Sequence, residues 1–128
     1  MTKEEWSLVE RKLRETYTPV NLKIDSFKVT LVLERIGVYK NAIIVYINGK
    51  IKGEWFLNDC EERIRFYPRK KKSLLSSKAK QKLFKGLTKK QKDELEAEYT
   101  YYTYGMYWTS FNSLKRHFES NNTSIELI

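Results

Sequence analysis

The sequence predicts an α+β fold, and three observations carry that prediction. Apolar residues recur at helical spacing near the N-terminus, alternate with period two over residues 20–57, and return to helical spacing from residue 58 onward. The expected architecture is an N-terminal helix, a four-stranded antiparallel meander, and a helical C-terminal half holding one short candidate strand. The chain has 128 residues and 41% hydrophobic positions, with three Trp, nine Tyr and six Phe against two Pro and five Gly. That is enough apolar surface for one domain, 1–128, with a modest core. The same composition excludes collagen-like and fully disordered classes.

The first element is a helix. Thr2 and Glu5 stand at the spacing at which two side chains satisfy each other's backbone amides at a helix start. Trp6, Val9 and Leu13 follow on one face, and Pro19 bounds the segment. Glu4, Arg11 and Glu15 occupy the opposite face, a mixed pattern that suits a helix laid on a sheet better than one lying on a membrane surface.

Strands come next. Val20, Leu22 and Ile24 alternate before Asp25-Ser26, and Phe27, Val29, Leu31 and Leu33 alternate after it. A two-residue turn at Asp25-Ser26 sets Ile24 opposite Phe27 and Leu22 opposite Val29, so both strands show an apolar row to the same side. Gly37–Asn41 connects to Ala42–Ile47, and Asn48-Gly49 is a hairpin signal leading into a fourth strand over Lys50–Leu57. In that hairpin Ala42, Ile44 and Tyr46 share a nearly all-apolar face with Ile51, Gly53 and Trp55. Ile43, Val45 and Ile47 share a mixed face with Lys50, Lys52 and Glu54.

Beyond residue 57 the spacing is helical. Asn58 or Asp59 is placed to cap a short helix through Cys60, Arg63, Ile64 and Tyr67 that stops at Pro68. Ser76 or Ser77 starts another, with Ala79, Leu83 and Leu87 as a narrow apolar seam interrupted by Gly86. Thr88 and Gln91 repeat the capping spacing for a helix running toward Tyr99. YTYYTY at 99–104 has strand propensity. Thr109 or Ser110 starts a last helix containing Phe111, Leu114 and Phe118, before the terminal TSIELI.

Charge is concentrated rather than spread. The formal net charge is +9, yet residues 69–92 alone hold 11 Lys/Arg and no acid, for +11. The remainder sums to −2. A single-sign block of this kind attracts nucleic-acid phosphates, an anionic membrane or an acidic protein. Lys78, Lys82 and Lys85 fall at helical spacing as a positive stripe, which Arg69, Lys70, Lys71 and Lys72 extend at one end and Lys89, Lys90 and Lys92 at the other. The whole of 69–92 reads as a basic helical segment whose contacts with phosphates would be electrostatic and would not by themselves select a base sequence. A solvated lysine-rich connector is the bland alternative. Just beyond it, Tyr101, Tyr104 and Tyr107 belong to an aromatic stretch that either stacks unpaired bases beside the positive block or builds the core.

Reactive groups are scarce. His117 is the only histidine and sits beside the apolar face of the last predicted helix, a boundary position rather than that of a general base. Cys60 is the only cysteine, so an intrachain disulfide and a cysteine-rich zinc site are both excluded, and a reducing, cytoplasmic location is expected. Asp59, Glu61 and Glu62 form the densest acidic cluster. Helix capping and pairing with Arg63 and Arg65 account for it, and a metal-dependent nuclease would need further carboxylates such as Asp25 or Glu54. Phosphate-cradling and dinucleotide-binding glycine motifs are absent. No cofactor and no metal are expected. The N-terminus has no signal-peptide pattern and no apolar run is long enough to span a bilayer, so membrane association is not expected.

The segments KGEWFLNDCEERIRFY, YTYYTYGMYWTSFNSLKRHF and NNTSIELI together resemble small proteins from phages and mobile elements of Gram-positive bacteria. That resemblance implies a host-takeover, replication or recombination accessory role and identifies no catalytic residue. The function expected from sequence is therefore a non-enzymatic accessory protein that binds DNA or RNA through its lysine-rich segment. The alternatives are a module or inhibitor that recognises an acidic protein, and a metal-dependent nuclease.

Overall fold

A computed structural model describes residues 1–128. The chain resolves into two compact units, Met1–Pro68 with Tyr104–Ile128, and Arg69–Thr103. The first holds the sheet and the core. Helix α1 spans Lys3–Leu13 and opens with the predicted capping box between Thr2 and Glu5. Strands β1 (Val20–Ile24), β2 (Phe27–Gly37) and β3 (Lys40–Ile47) form an antiparallel meander. Leu22 pairs with Val29 and Ile24 with Phe27, the register that the alternation predicts. Two short strands complete a five-stranded sheet in the order β6-β3-β2-β1-β7, with β6 at Tyr107–Trp108 and β7 at Ile125–Leu127.

The predicted fourth meander strand over Lys50–Leu57 does not form. Asn48 and Gly49 take positive φ angles of 52° and 77°, as a primed turn requires, but pairing stops at Ile47 and Lys50. A 3-10 turn over Gly53–Phe56 then carries Trp55 into the core, where it is 8% exposed. Burial of that ring outweighs continued pairing, and β6 takes the edge of β3 instead. Beyond the end of β6, the Tyr67 hydroxyl donates to the Val45 carbonyl at 2.8 Å.

Strand β3 has two largely apolar rows, and its pairing with β2 decides which of them faces the core. Ile43, Val45 and Ile47 point inward, opposite Leu33, Leu31 and Val29, while Ile44 and Tyr46 lie half-buried on the outer face. Register with β2 decides this, because residues paired across two strands share a face. Trp6, Val9 and Leu13 of α1 cover the inner face together with Phe66, Tyr67, Leu114 and Phe118. Phe66 comes from α2 (Glu61–Phe66), and Leu114 and Phe118 from α5 (Phe111–Asn121), which Ser110 caps through the Ser113 amide. Neither Asn58 nor Asp59 caps α2. Its N-cap is Cys60, without a side-chain cap, and Asp59 pairs with Arg63 instead.

The β1-β2 turn is clamped from a distance. Asp25 holds φ at 50°, which Asp tolerates better than most residues. Its carboxylate accepts from the amides of Ser124 at 2.9 Å and Thr123 at 3.3 Å, and from Arg65 Nη1 at 2.6 Å. The Ser124 and Thr123 amides, with Arg65 adding to them, hold this carboxyl below the usual Asp range. A lowered folded value means that its stabilising contribution is present above the ordinary Asp range and is lost as pH falls through the folded value. Asp25→Asn, which keeps the positive φ accessible, is therefore expected to lower the urea midpoint at neutral pH and to converge on wild type in strong acid. A midpoint difference independent of pH would contradict the clamp. No helix is long and apolar enough to cross a membrane.

Candidate nucleic-acid interface

The second unit is built from a strand ribbon and two helices. Strand β4 spans Arg69–Ser73 and pairs with β5, Thr100–Tyr104. Leu74 N–H donates to the Tyr99 carbonyl at 2.8 Å at one end of the ribbon, and Gly105 N–H to the Pro68 carbonyl at 2.9 Å at the other, so the strands run antiparallel. The segment 69–92 is thus not helical throughout: Arg69–Lys72 follow a helix-stopping proline and are extended against the β-favouring Tyr/Thr run of β5. Helix α3 (Ser77–Leu83) is capped by Ser76, and α4 (Lys89–Glu98) by the predicted box of Thr88 and Gln91. No residue of Arg69–Thr103 is fully buried.

Cationic side chains dominate this unit, with 11 Lys/Arg against 4 Asp/Glu, a net +7. Lys80 is half-buried and paired with Glu96 at 3.1 Å. The other ten, Arg69–Lys72, Lys78, Lys82, Lys85, Lys89, Lys90 and Lys92, are exposed and make no ion pair with a protein carboxylate. Charge along α4 runs against its dipole. Lysines occupy the first turns and Glu96 and Glu98 the last, with no acid in the first turn and no base in the last. Each such reversal costs about 0.3–1 kcal/mol relative to the stabilising arrangement.

The predicted stripe is only partly on one helix. Lys78 and Lys82 lie on α3, whereas Lys85 follows its end, in the turn where Gly86 takes φ of 80°. The three predicted stacking tyrosines are not brought together. Tyr107 lies half-buried on β6, paired with Ile44. Tyr104 is half-buried with the Arg63 guanidinium 4.5 Å from its ring centroid. Tyr101 is the exposed one, at 41%, and its neighbour Tyr102 is exposed at 49%. Sequence reasoning missed Tyr102, although alternation within YTYYTY places adjacent tyrosines on opposite faces of any strand there. Arg69 lies 4.2 Å from the Tyr102 ring centroid, close enough for a cation–π contact.

Residues weighed for catalysis serve the core unit. His117 is half-buried, with Nε2 2.9 Å from the Ile64 carbonyl and its ring 5.1 Å from that of Trp108. The Cys60 thiol donates to the Trp55 carbonyl at 3.6 Å. Asp25 is held by Arg65 and two amides, and Asp59 by Arg63. No three His, Cys, Asp or Glu side chains converge as a metal-binding group. Comparisons with protein-family models, curated proteins and solved structures find no match.

Proposed function

We propose that this protein is a non-enzymatic, cytoplasmic nucleic-acid-binding accessory protein whose basic unit, Arg69–Thr103, contacts phosphates. The supporting observation is the set of ten exposed cationic side chains without a carboxylate partner, gathered in one small unit. A phosphate backbone supplies the partners that the protein itself withholds. The charge order of α4 favours the same reading. A pattern serving helix stability alone would put acids first and lysines last, whereas this one adds lysines to an already positive helix end. The resemblance of three segments to small proteins of Gram-positive phages and mobile elements suggests the setting, an accessory role in replication or recombination.

Fluorescence anisotropy with labelled DNA and RNA oligonucleotides at physiological salt tests the proposal. Saturable binding that is lost on changing Lys78, Lys82 and Lys85 together to Glu is the expected result. Binding by this triple variant equal to wild type, or no binding by wild type, would overturn it.

A further inference from the structure

We infer that one face of the β4-β5 ribbon, carrying Lys70, Lys72 and Tyr101, selects unpaired over double-stranded nucleic acid. The inference rests on the nucleic-acid reading above and assigns it a substrate class. Its starting point is the difference between the two faces of the ribbon. Lys71, Thr100 and Tyr102 line a cleft against Asp93, Glu96 and Ala97 of α4. On that side Glu96 is paired with Lys80, Asp93 opposes a phosphate backbone, and Arg69 already stands over the Tyr102 ring. Alternation along the strands puts Lys70, Lys72 and Tyr101 on the opposite side. Lys70, Lys72 and Tyr101 are all exposed. None of the ion pairs of this chain involves either lysine.

The side-chain chemistry of that face separates single strands from duplex. Reading base edges in the major groove uses Arg or Lys on guanine and Asn or Gln on adenine, and this face offers two lysines and a tyrosine with no Arg, Asn or Gln among them. Lysine is a point charge that follows phosphates. An exposed tyrosine ring offers a surface on which any unpaired base can stack, whereas bases inside a duplex already have both faces occupied by their neighbours. Tyr101 opposite Lys72, with Lys70 two residues further along the same face, thus combines the two elements of sequence-tolerant single-strand binding, a stacking ring and backbone charge. Tyr102, one residue away and of nearly equal exposure, is the internal control because Arg69 already stands over its ring and Asp93 lies on its side.

The experiment compares a labelled oligothymidylate of about 20 nucleotides, long enough for at least one binding site, with the duplex it forms with its complement. Wild type is expected to bind the single strand more tightly. Tyr101→Ala is expected to weaken single-strand binding about tenfold, as the loss of one stacked base predicts, while duplex binding stays within about twofold. Tyr101→Phe, which keeps the ring, is expected to retain the single-strand affinity, and Tyr102→Ala to lose less than Tyr101→Ala. Equal losses on both probes, or no loss with Tyr101→Ala, would overturn the stacking face. If the Lys78/Lys82/Lys85 variant still loses binding in that case, the nucleic-acid reading stands without it. Wild type that binds neither probe would overturn both.

Discussion

Phe118→Ala is expected to lower the unfolding free energy by about 3–5 kcal/mol, a large share of the roughly 5–15 kcal/mol that a domain of this size has. Phe118 is fully buried where α5 meets the sheet. Its ring meets Phe66 edge-on, with centroids 5.7 Å apart at 81°, and Trp108 at 6.5 Å and 87°. These neighbours are not free to close the gap. Trp108 Nε1 donates to the Phe66 carbonyl at 2.9 Å, which ties β6 to α2. A cavity that cannot collapse forfeits both the transfer energy and the packing contacts of the lost atoms. Urea denaturation followed by tryptophan fluorescence reads the change directly. Tyr39→Ala, at a side chain that is 100% exposed, is the control and is expected to change stability by less than about 0.5 kcal/mol. A Phe118→Ala loss below about 1 kcal/mol would contradict this packing.

The largest effect on binding is expected from reversing Lys78, Lys82 and Lys85 to Glu. The unit Arg69–Thr103 carries a net +7, and the three reversals reduce it to +1. Three lost phosphate contacts make the salt dependence shallower by about 3 in log–log slope, and the new carboxylates repel the backbone in addition. The affinity at physiological salt is expected to fall by roughly 100-fold for every sequence tested, because phosphate contacts carry no base information. Folding is not at stake in the same measure. All three side chains are exposed and none forms an ion pair, so the melting transition of the triple variant is expected to stay close to wild type. A loss confined to one oligonucleotide sequence would point to base readout and contradict phosphate contact.

Legibility in the sequence followed the range of the interactions. The capping boxes at Thr2/Glu5 and Thr88/Gln91 were readable because both partners lie three residues apart. So was the β1-β2 register, since alternation on both sides of Asp25-Ser26 admits one pairing with a common apolar face. The buried side of β3 was harder. Both Ala42/Ile44/Tyr46 and Ile43/Val45/Ile47 are apolar, and only the pairing with β2 separates them. The edges of the sheet were out of reach. Strand β6 contributes two residues to β3, and β7 reaches β1 from the far end of the chain, so no local pattern announces either.

The candidate site shows the same division. The position of the positive charge was plain in residues 69–92, because charge is a property of composition. Its presentation was not. Arg69–Lys72 read as an extension of a helical stripe, and their pairing with a strand about 30 residues later depends on a non-local contact. The tyrosines then separated by environment. Tyr104 met Arg63 and Tyr107 joined the sheet edge, which left Tyr101 and the overlooked Tyr102 beside the basic strand.

The salt dependence of oligonucleotide binding by the whole 128-residue chain tests most directly whether the basic unit is a phosphate-contacting surface. For about six to ten phosphate contacts on duplex DNA, the logarithm of the association constant is expected to fall linearly with the logarithm of salt concentration, with a slope of about −5 to −9. A slope near zero, or no binding even at low salt, would contradict it.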